Sequence, residues 1–270
     1  MPISLNSVDL PTGVRLQYAE HGDPAGMPVL MLHGWSDSWR SFEPVLPHLP
    51  ASIRAISVTQ RGHGDSSKPE EYALEDFTAD VVALLDALEI DRAIIAGHSM
   101  GSLVAQRVAI DHPERVAGLV LMGSQRTFEV PQLQELYDYV AQMTDPVDPV
   151  FIREFQESTI ARAIPEGMID WVVAESQKLP AGAWQGSMGA LRTDFSAETG
   201  KISAPTLIVS GERDEVSPPD AAEALAAAIP GARLLMYADA GHAMHWEEPA
   251  CFAADLVAFV ATISPVLSTR

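Results

Sequence analysis

Five residues, Gly97-His98-Ser99-Met100-Gly101, constrain this chain more than any others. They follow an apolar run at residues 93–96 and precede a stretch in which Leu103, Val104 and Val108 fall at helical spacing. A chain passing from strand to helix so abruptly must turn sharply, and glycines on either side of Ser99 remove side chains that would collide in the turn. Ser99 is then presented at the carboxyl end of its strand. The bare pattern arises by chance on the order of once in ten chains of this length, so its place between strand and helix gives it weight. The competing interpretation is a tight structural turn with an inert serine.

The rest of the chain supplies the sheet such a turn needs. Apolar runs at 29–32, 53–58, 119–122, 206–209 and 234–237 join 93–96 as strands. They are mostly continuous rather than alternating, the pattern of parallel strands buried on both faces. Residues 14–20 do alternate, through Val14, Leu16 and Tyr18, which predicts an antiparallel edge strand. Phe77, Val81, Leu84, Leu85 and Leu88 share a helical face, as do Phe252, Leu256, Phe259 and Val260. Pro249, preceded by Glu247 and Glu248, marks the start of that last helix. Residues 125–201 behave differently: they are helix-like, lack a convincing strand, and are broken by Pro131, Pro146, Pro149, Pro165 and Pro180. That is too long for an ordinary loop. It reads as a helical cap over residues 125–201, inserted into a core of residues 1–124 and 202–270. The fold class is therefore α/β, with a mostly parallel central sheet flanked by helices.

Charge and cysteine content narrow the partners. Against 17 basic residues stand 37 acidic ones, a formal net charge of −20. Nucleic-acid binders need a basic footprint, and an anionic membrane surface would repel this chain. A small-molecule partner is expected, with no nucleic acid and no membrane. Cys251 is the only cysteine, so no intrachain disulfide can form. The opening MPISLNSVDLPTG lacks the basic and apolar regions of a signal peptide, and no apolar run approaches the ~20 residues of a membrane span. A cytoplasmic, reducing location is expected.

A serine hydroxyl needs a base within hydrogen-bond reach. Of eight histidines, His48 and His112 lie in amphipathic surface contexts, and His21 and His63 lie in turn-like stretches containing glycine. His242 follows Ala240-Gly241 just past the last strand run, at the sheet edge where open α/β folds bind ligands. His245 is the second candidate, set back because residues 244–248 read as a helix entry. The base in turn needs a carboxylate to hold its tautomer. Asp214, in Gly211-Glu212-Arg213-Asp214-Glu215, sits past the preceding strand run, with Glu212 and Glu215 as alternatives. A tetrahedral intermediate needs two donors for its oxyanion. The backbone N–H of Met100 is one candidate, and that of Trp35, in His33-Gly34-Trp35-Ser36, is the other. His33 reads as a side chain that stabilises this loop.

These elements together resemble the α/β-hydrolase family, in its branch with a helical cap. The resemblance rests on His33-Gly34-Trp35, Arg61-Gly62-His63-Gly64-Asp65-Ser66, the Ser99 pentapeptide, residues 211–218, and Gly241-His242 followed by Glu248-Pro249. It covers nearly the whole chain outside the cap and implies Ser99, Asp214 and His242 as the catalytic triad. Gln60 departs from the pattern, standing where relatives commonly carry an aspartate in a structural role. Serine at position 99 separates the chain from the fold's haloalkane dehalogenases and epoxide hydrolases, whose nucleophile is aspartate. With no H-E-x-x-H and no Rossmann glycine pattern, neither a metal nor a cofactor is implied.

The cap's large apolar side chains suggest an apolar pocket. Trp39, Met143, Phe155, Trp171, Trp184 and Met188 are the candidate substrate-contacting residues. The expected reaction is hydrolysis of a small, largely apolar carboxylic ester or lactone through an acyl-enzyme. Carbon–carbon bond hydrolases and cofactor-free perhydrolases share the triad. Trp246-Glu247 resembles the C-terminal motif of the former, although Ala243 stands where they usually carry tryptophan. Some members of the fold are instead ligand receptors with slow or absent turnover.

Overall fold

The computed structural model describes residues 2–267. Eight strands form one sheet: β1 (Ser4–Asp9), β2 (Arg15–His21), β3 (Met27–Leu32), β4 (Ile53–Thr59), β5 (Ala93–His98), β6 (Val116–Met122), β7 (Thr206–Gly211) and β8 (Arg233–Tyr237). Their order is β1-β2-β4-β3-β5-β6-β7-β8. From β4 through β8 every pairing is parallel, whereas β2 runs antiparallel to both β1 and β4. The segment expected as an antiparallel edge is thus antiparallel, as β2, but it is not the edge. β1 covers it, and β1 carries no apolar run because its residues are exposed or half-buried, Leu5 among them.

Nine helices accompany the sheet among the described residues: α1 (Leu74–Ala87), α2 (Met100–Asp111), α3 (Gln134–Val140), α4 (Pro149–Ser158), α5 (Met168–Ser176), α6 (Ala181–Leu191), α7 (Pro219–Ala228), α8 (Met244–Glu247) and α9 (Pro249–Leu267). Strand register explains how the layers form. Leu30 pairs with Ile56 and Ile95, and Ile95 with Leu119, so these four share one face. There they pack with Phe77 and Leu84 of α1, Val104 and Val108 of α2, and Leu225 of α7. One residue earlier, Val29, Ala55 and Ile94 point to the opposite face and meet Phe252, Leu256 and Phe259 of α9. Period-two alternation therefore buries both faces at once. Between β6 and β7 the chain forms α3–α6 and short 3₁₀ turns, with no strand among the described residues.

A buried ion pair ties the turn after β4 to α1. Arg61 Nε donates to Asp80 Oδ2 at 2.7 Å and Nη2 to Oδ1 at 2.8 Å, with both side chains nearly sealed from solvent. Thr12 Oγ1 donates to Asp80 Oδ1 at 2.6 Å, drawing in the turn after β1. Removing one partner would leave an uncompensated buried charge. Asp80→Ala should lower the unfolding free energy by about 3–5 kcal/mol, read as a reduced urea midpoint with an unchanged slope.

Candidate active site

Ser99 joins β5 to α2 in a conformation that side chains rarely adopt, φ 49° and ψ −117°. Around it the chain is too close for side chains. A Cβ on Gly97 would lie 2.2 Å from the Gly101 carbonyl oxygen, and one on Gly101 would lie 2.3 Å from that of Leu32. Two hydrogen bonds hold the turn: the Ser99 N–H donates to Met122 O at 2.9 Å, and Ser102 Oγ donates to Ser99 O at 2.6 Å.

His242 lies past β8, and its Nδ1 stands 2.9 Å from Asp214 Oδ2, past β7. Both residues are buried. The other Asp214 oxygen, Oδ1, accepts the N–H groups of Val216 at 2.9 Å and Ser217 at 2.7 Å, which orients the carboxylate. A carboxylate only accepts, so the imidazole N–H sits on Nδ1 and leaves Nε2 as an acceptor. That Nε2 is buried and has no partner among the described residues. Glu212 and Glu215, the alternatives by sequence, are exposed. His245 turns elsewhere: its Nε2 lies 3.1 Å from Ser41 Oγ, and burial pushes its pKa down to about 3. His98 Nε2 lies 3.0 Å from the His242 carbonyl, and burial holds its pKa well below the usual imidazole range.

Past β3, the His33 loop is fastened from within. His33 Nδ1 donates to Gly34 O at 2.7 Å, while its Nε2 accepts the Gln60 N–H at 3.0 Å. The Gln60 side-chain amide donates to His33 O at 2.8 Å, so the residue that departs from the family pattern still braces this loop. The Trp35 indole donates to Ser187 Oγ of α6 at 2.9 Å and packs edge-on against Trp184 and Phe155. Neither the Trp35 N–H nor the Met100 N–H, the first amide of α2, donates to a protein acceptor among the described residues. Both amides are therefore free, and Trp35 and Ser99 line the same cavity.

A cavity of about 350 Å³ opens over Ser99 and His242. Of the side chains expected to contact substrate, Phe155 and Met188 line it. Trp39, Met143, Trp171 and Trp184 do not, which corrects that expectation. Trp184 is fully buried behind Trp35, with ring centroids 4.7 Å apart. Trp171 packs near Trp246 and lies under the Arg40 guanidinium, 4.7 Å from its ring centroid. Met143 packs against the main core, and Trp39 sits half-buried in a 3₁₀ turn. Phe128, Leu133, Leu136, Tyr137 and Leu191 line the cavity instead. The apolar stripe running from the 3₁₀ turn before α3 into that helix, through Leu133, Leu136, Tyr137 and Val140, is the sequence signal that could have found part of this wall.

A clasp that sequence reasoning missed joins cap to core. Glu247 Oε1 accepts the N–H groups of Ala161 at 2.5 Å and Arg162 at 3.0 Å, and its Oε2 accepts that of Gly241 at 2.8 Å. The Ala243 N–H donates to Thr159 O at 2.9 Å, and Arg162 pairs with Glu248. One carboxylate thus fastens the segment after α4 to the loop carrying His242.

This arrangement has a family. The alpha/beta hydrolase family model matches residues 29–255, and the chain belongs to that family. It is 31% identical to a putative carbamate hydrolase of Variovorax paradoxus over 92% of this chain and 97% of the relative. Among solved structures, a hydrolase from Pseudomonas aeruginosa superposes with TM-score 0.86 at 28% identity, covering 95% of this chain and 98% of that one. An esterase from Exiguobacterium antarcticum superposes with TM-score 0.84 at 26% identity, covering 95% and 99%. Among the described residues, no helix is long and apolar enough to cross a membrane, and no group of three or more His, Cys, Asp or Glu could hold a metal ion.

The clasp predicts a coupled response. Glu247→Ala should speed hydrogen exchange at the Ala161, Arg162 and Gly241 amides together by at least about tenfold, because each loses the same acceptor. Unchanged exchange at these three positions, measured by NMR or mass spectrometry, would contradict the clasp.

Proposed function

We propose that this protein is a serine hydrolase that cleaves a small, largely apolar carboxylic ester or lactone through an acyl-enzyme intermediate. The observation that carries the reading is the buried Asp214–His242 bond, which leaves the partnerless Nε2 beside the cavity that Ser99 lines. In this reading His242 takes the Ser99 proton as Oγ attacks the carbonyl carbon, and Asp214 stabilises the imidazolium that forms. The Trp35 and Met100 amides receive the oxyanion. Collapse of the tetrahedral intermediate expels the alcohol, which takes the proton from His242. Water, activated by the same imidazole, then releases the acid and restores Ser99.

The apolar lining from Phe128, Leu136 and Leu191 supports an apolar substrate, and the cavity volume limits its size. Likeness to an esterase and to a putative carbamate hydrolase supports attack on an acyl carbon. Asp214→Asn preserves shape but removes the acceptor that fixes the tautomer, and the precedent in a serine protease is a loss of about 10⁴ in kcat. A comparable loss on an aryl ester is expected here, with Glu212→Gln and Glu215→Gln close to the unaltered protein. Near-full activity of Asp214→Asn beside a collapse of either glutamate variant would reassign the acid.

A further inference from the structure

The cavity has two unlike sides. From α3 and α6 come Leu136, Tyr137, Met188 and Leu191, whereas the Trp35 loop and the end of α4 bring Asp37, Gln156, Ser158 and Thr159. Asp37 and Gln156 are 4% and 1% exposed and meet across the boundary between core and cap. Gln156 Nε2 shares its two hydrogens among three acceptors, Ser36 Oγ at 2.9 Å, Ser176 Oγ at 3.0 Å and Asp37 Oδ1 at 3.2 Å. Asp37 Oδ2 accepts from Ser41 Oγ at 3.2 Å, and burial pushes the carboxyl pKa up to about 7.

These contacts fix which way the Gln156 amide faces. The NH₂ group faces Asp37, the orientation that the carboxylate, once ionised and without a hydrogen to give, enforces, with the oxygen turned away from it. That oxygen accepts no hydrogen bond among the described residues. Gln156 lines the cavity, and a bound molecule that shuts water out there leaves the amide oxygen unpaired unless it brings a donor of its own.

We infer that Asp37 and Gln156 form a specificity subsite that takes a hydrogen-bond donor, N–H or O–H, carried on the substrate within a few bonds of the scissile carbonyl. The inference rests on the ester or lactone hydrolase reading above. Asp37 follows Trp35 by two residues, a backbone span of at most about 7 Å, so the subsite adjoins the oxyanion loop. The substrate's apolar arm then runs the other way, toward α3 and α6. A molecule lacking the donor leaves the Gln156 oxygen unpaired, which is how such a site discriminates. Asp37 is a positioning residue here, because it dictates the orientation of the amide.

Two matched pairs test this: 4-nitrophenyl 3-hydroxybutanoate against its 3-methoxy ether, and α-acetamido-γ-butyrolactone against its N-methyl derivative. The quantity read is the ratio of kcat/KM within each pair, compared between protein variants so that intrinsic reactivity cancels. In at least one pair the unaltered protein should favour the donor-bearing member by about tenfold more than Gln156→Leu does. Gln156→Glu keeps an acceptor oxygen but loses the N–H groups given to Asp37, Ser36 and Ser176, and it should retain a preference because the oxygen is what meets the substrate's donor. Asp37→Asn should shrink it, because asparagine can donate to Gln156 and let the amide turn over. Equal ratios in the unaltered protein and Gln156→Leu for both pairs would overturn the subsite while leaving the hydrolase reading standing. Failure of the unaltered protein to turn over any of the four compounds would overturn that reading, and the subsite with it.

Discussion

The site depends on one strained residue held by its surroundings. Ser99 keeps φ 49° and ψ −117°, and for a residue with a side chain such backbone costs on the order of 1–3 kcal/mol. It persists because neither flank can move. β5 is buried along its whole length between β3 and β6, and α2 packs its Leu103, Val104 and Val108 into the same core. Relaxing the turn would disturb that core, whose packing outweighs the strain. The same geometry presents Ser99 to the cavity and leaves the Met100 amide free at the start of a helix.

Parallel strands then bring distant residues to one edge. The Trp35 loop follows β3, Ser99 follows β5, Gly123 follows β6, Asp214 follows β7 and His242 follows β8. All leave the carboxyl ends of their strands, where open α/β sheets bind ligands. The helical segment after β6 departs from this same edge and folds back over it. Contacts along the seam fasten it there: Trp35 to Ser187, Asp37 to Gln156, and Glu247 to the amides of Ala161 and Arg162. The cavity is accordingly walled by core loops below and by α3, α4 and α6 above.

Much of this was legible in the sequence because the chemistry sits next to strong local signals. Ser99, Asp214 and His242 each stand just past an apolar run, so finding the strands located them, and the structure does bring Asp214 to His242. β1 was invisible because edge residues such as Ser4, Asn6 and Ser7 need no apolar pattern. The tryptophans misled for a different reason. A large apolar side chain in a cap announces burial, but not which side of the cavity wall it occupies; Trp184 packs behind Trp35 and never reaches the opening. Asp37 and Gln156 lie 119 residues apart, and Glu247 reaches Ala161 across 86. No local period encodes a bond between cap and core, so only the folded chain reveals it.

The central claim is that Ser99 is the nucleophile, and covalent capture tests it most directly. After brief treatment with a fluorophosphonate, intact-mass analysis should show one adduct per chain, and peptide mapping should place it on Ser99. Ser99→Ala should then remain unmodified. Equal labelling of Ser99→Ala, or an adduct mapped to another residue, would contradict the account.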